Sequence, residues 1–475
     1  MTSLDSTVMD MTLGVKGFIT NNVEFEMIKC RDSDGFVYYD QVQHIYGSVS
    51  KDFDDNLCPI CKIKCPFYDK TSSDRKWRHN DNSAQSKVYI HTVKRRVTCP
   101  KHGVITADVP WALHNSRFTL SFEINVLLEY KLTKTKKAVC DKMRISWDSV
   151  KRIKNRVIPF VTYGVSIYDN LTYIGIDETS YKKGKKYVTV VINHETNSII
   201  WVGLGTGKQV LSEFFNQLSP AQRASIKAVT ADGARWIDGC LNEYLDDYTR
   251  CVDPFHVVSW VMEAIDELRK AAWRKANWAV KNQAEKVTVK KGRPSKDDEE
   301  AHKLKELKAN ATRIKNSSKL LAKSAENLTD ADKMELERLF KADKRLQQGY
   351  FLKELIRKVF KLANQKKHDD ALKVLNDFIY RTTHSRFVKF KDLGEKIKRH
   401  RENIMNTVKT GLSNSRVEAN NNKIKLLLRS AYGFWNYDNM MEAIKYHCSN
   451  DGYYALKAHK YLEKNKMIQQ IEGNI

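Results

Sequence analysis

The chain of 475 residues predicts a multidomain α+β protein, and three observations carry that prediction. Pairs of metal-ligating side chains bracket a segment near the N-terminus. Strand-like runs alternating with amphipathic helices fill the stretch from 171 to 253. All eight prolines lie at or before Pro294, which leaves the last 181 residues, 295–475, free to be helical. At about 150 residues per domain, the length suits about three domains.

The middle stretch is organised around Leu171–Tyr187, LTYIGIDETSYKKGKKY. A short apolar run, Tyr173-Ile174-Gly175-Ile176, ends in two acids, Asp177 and Glu178. A basic loop follows, and then a second strand-like run, Tyr187–Ile192. Strand, carboxylate, turn and strand is how an α/β sheet offers an acid at the end of a central strand. Taken alone, Asp177 reads as an ordinary solvated acid; its context argues otherwise. After the turn Asn193–Ser198 comes a third strand, Ile199–Leu204, and then a helix with Val210, Leu211, Phe214 and Leu218 on one face. A strand over 226–233 ends in Asp232, a helix runs over Arg235–Leu245, and a last strand, Thr249–Val252, ends in Asp253. The order β-β-β-α-β-α-β, with acids closing strands one and four, is that of an RNase H-like domain. Strands one and four are parallel neighbours there, about 4.8 Å apart, so Asp177 and Asp232 can share a metal.

Upstream, Cys58-Pro59-Ile60-Cys61 opens a cysteine-rich segment and Cys99-Pro100-Lys101-His102 closes it. Two ligand pairs, each separated by two residues, have the spacing of the knuckles of a tetrahedral zinc site. The expected ligands of one structural zinc are Cys58, Cys61, Cys99 and His102, with Cys65, His79 and His91 competing for the fourth place. An alternating run between the pairs, Val88–Thr92, suggests a zinc ribbon. Nine cysteines, an odd number in a large chain, read as reduced thiols rather than a disulfide framework.

Between these parts, Leu120, Ile124, Leu127 and Leu128 form one apolar stripe. The run TKTKKAVCDKMRISWDSVKRIKNRV then predicts a short helix, a turn at Arg144-Ile145 and a helix capped by Ser146. Its second helix should bury Trp147, Val150, Ile153 and Val157 and turn Lys151, Arg152, Asn155 and Arg156 outward. That is a helix-turn-helix pattern, whose second helix enters the major groove. The charge agrees: 82 Lys and Arg against 57 Asp and Glu leave +25, a field that attracts a polyanion. No run approaches the ~18 apolar residues of a membrane span, and no basic-then-apolar leader opens the chain. The expected setting is the bacterial cytoplasm, associated with the nucleoid.

From Val257 onward the pattern is helical, with Val257, Val261, Ala264, Ile265 and Leu268 on one face. Gly292-Arg293-Pro294, within KKGRPSK, has the core of a minor-groove clamp, although a surface loop explains it as well. Near the end, helical spacing brings Glu418, Asn421 or Asn422, and Lys425 onto one face. A carboxylate among amides and a lysine suits metal and phosphate. Ser415-Arg416-Val417-Glu418 also fits a capping box, in which Glu418 merely closes the helix start. The sequence then forms an aromatic turn, Ala431–Asn436. Residues 1–50 carry no functional reading beyond a strand near Phe36–Tyr39.

Taken together, these words resemble the DDE transposases of the third ISL insertion-sequence family. The matching words are WRHND (Trp77–Asp81), CPKHG, ISWDSVKRI, IGIDE with KKGKKYVTVV, VDPFHVV (Val252–Val258) and SNSRVEANNNKIKLLLRSAYGFWN. They cover most of the chain from about Cys58 onward, in the family's order. His102 stands where members often have Cys, which zinc tolerates, and Ala419 follows Glu418 where Gly is frequent. The resemblance implies an RNase H-like core interrupted by an all-helical insertion, with Glu418 as the third acid of a triad with Asp177 and Asp232. It also implies that Asp253 and His256 support that site. The implied division is an N-terminal arm (1–50), a zinc ribbon (51–112), a helix-turn-helix domain (113–165), the first part of the core (166–256), the insertion (257–412) and C-terminal helices with the third acid (413–475). The expected cofactors are two magnesium or manganese ions and one structural zinc. The expected partner is double-stranded DNA, both element ends and target, met by Lys151, Arg152, Asn155, Arg156 and Lys425, with a homodimer or larger oligomer assembling on it. Two other readings compete: a DNA-binding regulator with a silent catalytic domain, and a nuclease that cannot join strands. The presence of all three acids argues against the first.

Overall fold

The computed structural model describes residues 3–31, 35–53, 56–82, 86–163, 166–286, 299–449 and 456–459. The Gly292-Arg293-Pro294 motif lies outside them. The chain divides into two compact units, 1–167 with 424–475, and 168–423. Both sheets and helices are present in quantity, so the fold is a multidomain α+β one with mixed sheets and a helical insertion.

In the first unit, helix α1 (Ser3–Leu13) precedes two long paired strands, β1 (Phe18–Arg31) and β2 (Val37–Val49). The cysteine-rich segment follows with β3 (Phe67–Lys70), β4 (Arg75–His79), β5 (Lys87–Thr92), β6 (Arg95–Cys99) and β7 (Gly103–Thr106). Two sheets result, ordered β1-β2-β5-β4 and β3-β6-β7. The alternating run Val88–Thr92 is therefore not part of the cysteine sheet. It is β5, and its buried residues Val88 and Ile90 pack with Phe18, Ile45, Trp77 and Trp111. Strands β1 and β2 supply half of this sheet. WRHND has structural work here: Trp77 meets Trp111 edge-to-face at 5.7 Å, and Arg78 pairs with Asp81.

Helices α2 (Leu120–Thr133), α3 (Lys136–Met143) and α4 (Trp147–Val161) complete the unit's middle. Arg144 takes the left-handed conformation (φ 53°) at the end of α3, and the Ser146 hydroxyl accepts from Ser149 N–H to start α4. Arg144 also ties this turn to the first sheet, donating to Asp40 (2.8 Å) and Asp81 (2.6 Å).

In the second unit, β8 (Tyr173–Lys182), β9 (Lys186–Asn193) and β10 (Ser198–Leu204) run antiparallel; α5 (Lys208–Phe215) and α6 (Pro220–Ser225) lead to β11 (Ala228–Ala231), and α7 (Arg235–Tyr244) to β12 (Thr249–Val252). The sheet order is β10-β9-β8-β11-β12, with β8, β11 and β12 parallel. Leu211, Phe214, Ile237 and Leu241 cover it in one apolar core with Ile174, Ile176 and Val229. A second core belongs to the helices: α8 (Pro254–Lys286), α9 (Glu299–Asn316), α10 (Ser318–Ala322), α11 (Asp330–Ala342), α12 (Lys344–Asn364), α13 (His368–Thr383), α14 (Val388–Arg399) and α15 (Arg401–Thr410). The predicted face Val257, Val261, Ala264, Ile265 and Leu268 is buried in it. Helices α16 (Ser415–Ser430) and α17 (Tyr437–Cys448) follow.

Candidate active site and metal centre

Strand register builds the acid site. Gly175 of β8 pairs with Thr230 of β11, and Ala231 of β11 with Val252 of β12. Stepping on by two residues puts Asp177 opposite Asp232, and stepping on by one puts Asp232 opposite Asp253. With side chains alternating between faces, the three acids form one row beyond the carboxyl ends of the parallel ladders. Asp177 itself is not at a strand end, contrary to expectation. The hairpin with β9 carries β8 on to Lys182, with Asp177 paired to Val190.

Helix α16 is fastened to this row by amides. Asn414 is buried; its backbone N–H donates to Asp253 Oδ1 (3.3 Å), its Nδ2 to the Ile176 carbonyl (3.1 Å), and its Oδ1 accepts from the Thr230 hydroxyl. Since Thr230 spends its only proton there, it accepts from His194 Nε2 (2.7 Å), fixing that ring's tautomer. Burial, with Arg416 nearby, lowers His194 to about 4 and keeps it neutral. A side chain at Gly175 would lie 2.6 Å from Val417 Cγ2 and 2.8 Å from His194 Nε2, so the glycine of IGIDE lets α16 approach. Asn421 then donates from Nδ2 to Asp177 Oδ2 at 2.8 Å, and Asn420 to Asn197 Oδ1 at 3.0 Å.

Glu418 is exposed, three residues before Asn421 and so on its side of the helix. The capping-box reading does not hold in this register. The helix starts at Ser415 and the Asn414 carbonyl accepts from Glu418 N–H (2.8 Å), so Asn414 is the cap and Val417 stands three residues beyond it. Among the described residues, no hydrogen-bond partner engages the Glu418 carboxylate.

The acids feel one another. Burial raises Asp177 to about 6, with Asp232 and Asp253 pushing the same way against the Glu178 N–H and His256. Burial, then Asp232 and Asp177, raises Glu178 to about 7. Asp253 is raised by burial and by Glu418, opposed by Asn414 N–H and His256. It also precedes α8, its carbonyl accepting from Val257 N–H (3.2 Å), and the half-buried His256 lies in that helix's first turn. The structure thus gathers Asp177, Asp232, Asp253, His256 and Glu418 within electrostatic reach. It does not bring three carboxylates into one tight cluster: among the described residues, the only such set with ligand atoms all within 4.8 Å is elsewhere.

That set is Cys58, Cys61, Cys99 and His102. Cys58 Sγ and Cys99 Sγ lie 3.5 and 3.4 Å from His102 Nδ1, and Cys61 Sγ lies 3.6 Å from Cys99 Sγ. A tetrahedron of bonds near 2.3 Å has edges of about 3.7 Å, so the four can close around one metal ion. Burial works to raise the Cys99 thiol, but the backbone N–H groups of Lys101 and His102 and the neighbouring thiols bring it down to about 7. The competitors are engaged otherwise. Cys65 Sγ bonds the Ile63 carbonyl (3.3 Å), His79 bonds Thr119 and the Leu13 carbonyl, and His91 bonds Asp74.

On α4, Val150, Ile153 and Val157 are fully buried, and Lys151, Arg152 and Asn155 are exposed. Two expectations fail. Trp147 is 56 % exposed; it opens the helix, where the ring lies under Lys136 (5.8 Å) instead of in the core. Arg156 does not face outward freely, because it pairs with the fully buried Glu123, a charge that must be compensated. Lys425 is exposed on α16.

A family model described as a transposase, of the DDE type of ISL3, matches residues 174–444. Another, described as the helix-turn-helix domain of transposase family ISL3, matches residues 107–158. The chain is 35% identical over 378 residues to the transposase for insertion sequence element IS1557 of Mycobacterium tuberculosis, covering 79% of this chain and 82% of that one. The chain belongs to the ISL3 family of DDE transposases. It is also 24% identical over 383 residues to the transposase for insertion sequence element IS1001 of Bordetella parapertussis, covering 80% and 85%. As an ISL3 transposase it is an enzyme of a DNA-binding family, and among its described residues no helix is long and apolar enough to cross a membrane. Reading the sequence missed Asn414 and left Asn421 unresolved from Asn422. The only signal was their place beside Glu418 in an amide-rich word.

Proposed function

We propose that this transposase binds the ends of its own insertion sequence, cuts DNA there and joins the freed 3′ ends to target DNA. The observation that carries the proposal is the row Asp177, Asp232 and Asp253 with the Glu418 helix hydrogen-bonded to Asp177. The sheet order, third-second-first-fourth-fifth in chain terms, supports the RNase H-like reading of 166–256 and 413–475, with 257–412 as the helical insertion.

The donors suit two magnesium or manganese ions, which prefer oxygen, and the buried amide oxygen of Asn421, without a partner among the described residues, fits the same chemistry. Asp177, Asp232 and Glu418 would hold them. Bound there, such ions supply an activated water and neutralise the leaving oxygen of the phosphodiester. The protein's own part is positional. Asn414 fixes the start of the Glu418 helix to β8, β11 and Asp253. Asn421 orients Asp177, and Asp253 with His256 steadies α8 beside them. A freed 3′-hydroxyl held against the same acids can then attack target DNA.

Cys58, Cys61, Cys99 and His102 would hold one structural zinc, three thiolates and an imidazole being its usual donors. Helix α4 would enter the major groove through Lys151, Arg152 and Asn155, with Lys425 contacting phosphate and the protein acting as a dimer or larger assembly on DNA. The test is incubation with linear DNA carrying the element's ends and magnesium. Joined products are expected. Cutting without joining indicates a plain nuclease, and binding without cutting a regulator.

A further inference from the structure

We propose that the side-chain carbonyl of Asn421 is a further oxygen ligand for the divalent ion at Asp177, outside the three acids. The inference rests on the two-metal reading above and adds a residue to it. Asn421 is 5 % exposed, and its two polar atoms are treated differently. Nδ2 donates to Asp177 Oδ2 at 2.8 Å, whereas Oδ1, on the same planar amide, is buried with no partner among the described residues. Buried acceptors are paired in nearly all native structures, and one left unmet beside a carboxylate calls for an explanation.

A hard divalent ion supplies one. Such ions take six or more oxygens, carbonyls of Asn among them, and three acids alone leave positions to fill. A neutral oxygen adds a ligand without adding charge to a row where Asp232 and Asp253 already work against the ionisation of Asp177. The framework is also rigid. Asn421 and Glu418 share one side of α16, and the start of that helix is pinned through Asn414 to Ile176 and through Asn420 to Asn197. Asn422, the neighbouring amide, is exposed.

The experiment measures manganese binding by electron paramagnetic resonance on the full zinc-loaded chain without DNA. Asn421→Leu keeps the size and removes the oxygen, so affinity should fall about tenfold, while Asn421→Asp supplies a charged oxygen and should raise it about tenfold. A residue that only donates to Asp177 predicts weaker binding in both, because an ionised Asp has no N–H to give; that result overturns the proposal. Should Asn421→Leu fail to fold, the sign of the Asn421→Asp change decides alone. Asp177→Asn separates the two readings. If it abolishes binding while the Asn421 variants match wild type, only the Asn421 role is lost. If it too leaves binding unchanged, the two-metal reading itself has failed.

Discussion

The cysteine cluster and the acid row use the same kind of material, ligating side chains brought from distant stretches of chain, but they are finished to different degrees. Thiols that can keep or lose a proton tolerate contacts of 3.4–3.6 Å, and the cluster with Val97 and Ala107 is the core of its small sheet. Carboxylates have no such freedom at neutral pH. They stop short of a closed set, and burial, with Asp232 and Asp253 adding to it, raises Asp177 to about 6.

The largest effect expected from breaking this contrast is on the closed site. Structural zinc contributes on the order of 10 kcal/mol of apparent binding energy, so a Cys58→Ser, Cys99→Ser double variant should lose the single zinc seen by metal analysis. Hydrogen exchange should then report loss of protection in β3, β6 and β7 with β8 to β12 unchanged. A chain that purifies without zinc, or a double variant that keeps it, removes the assignment.

Next comes chemistry. Asp177→Asn or Asp232→Asn keeps shape but loses charge, and about 4 kcal/mol of lost stabilisation corresponds to about a thousandfold slower cleavage. Binding of end DNA should persist. Near-normal cleavage would redirect attention to Asp253.

The open site should also reveal itself through pH. Asp177 and Glu178 are raised in the folded state from 3.8 to about 6 and from 4.5 to about 7. The folded chain therefore binds more protons, and its stability falls as pH rises from about 4 to about 7. Melting of the metal-free protein should drop by about 2–4 °C for each kcal/mol lost across that window, and magnesium should restore it at pH 7.5 far more than at pH 5. Equal effects of magnesium at both would mean the acids are not its site.

How much of this the sequence carries depends on the range of the interaction. The strand order and the face Val257–Leu268 are local periodicities, and the two zinc knuckles are local spacings, so they can be read directly. Asn421, on the helix that carries Glu418, meets Asp177 across 244 positions, and no spacing encodes that. Arg156 misled because its partner lies far away in sequence. Helical periodicity says which side a residue takes, but not that a buried Glu123 waits across the fold for a guanidinium. The full length of β8 was hidden because Asp177, a polar residue after an apolar run, looks like a strand's end.

The smallest expected effect lies on the exposed face of α4. Lys151→Ala and Arg152→Ala should each reduce the slope of log K against log salt for end DNA by about 0.9 if each neutralises one phosphate, with no change in melting. An unchanged slope and affinity would remove α4 from the interface.

Of the three acids, Glu418 is the one furthest in sequence from the others, Asp177 and Asp232. Its direct test is cleavage and joining of end DNA with magnesium by Glu418→Gln, which preserves size and helix. The prediction is unchanged melting and DNA binding with cleavage reduced about a thousandfold, as for the two aspartates. Activity within a few-fold of wild type would contradict it and leave Asp177 and Asp232 without a third partner.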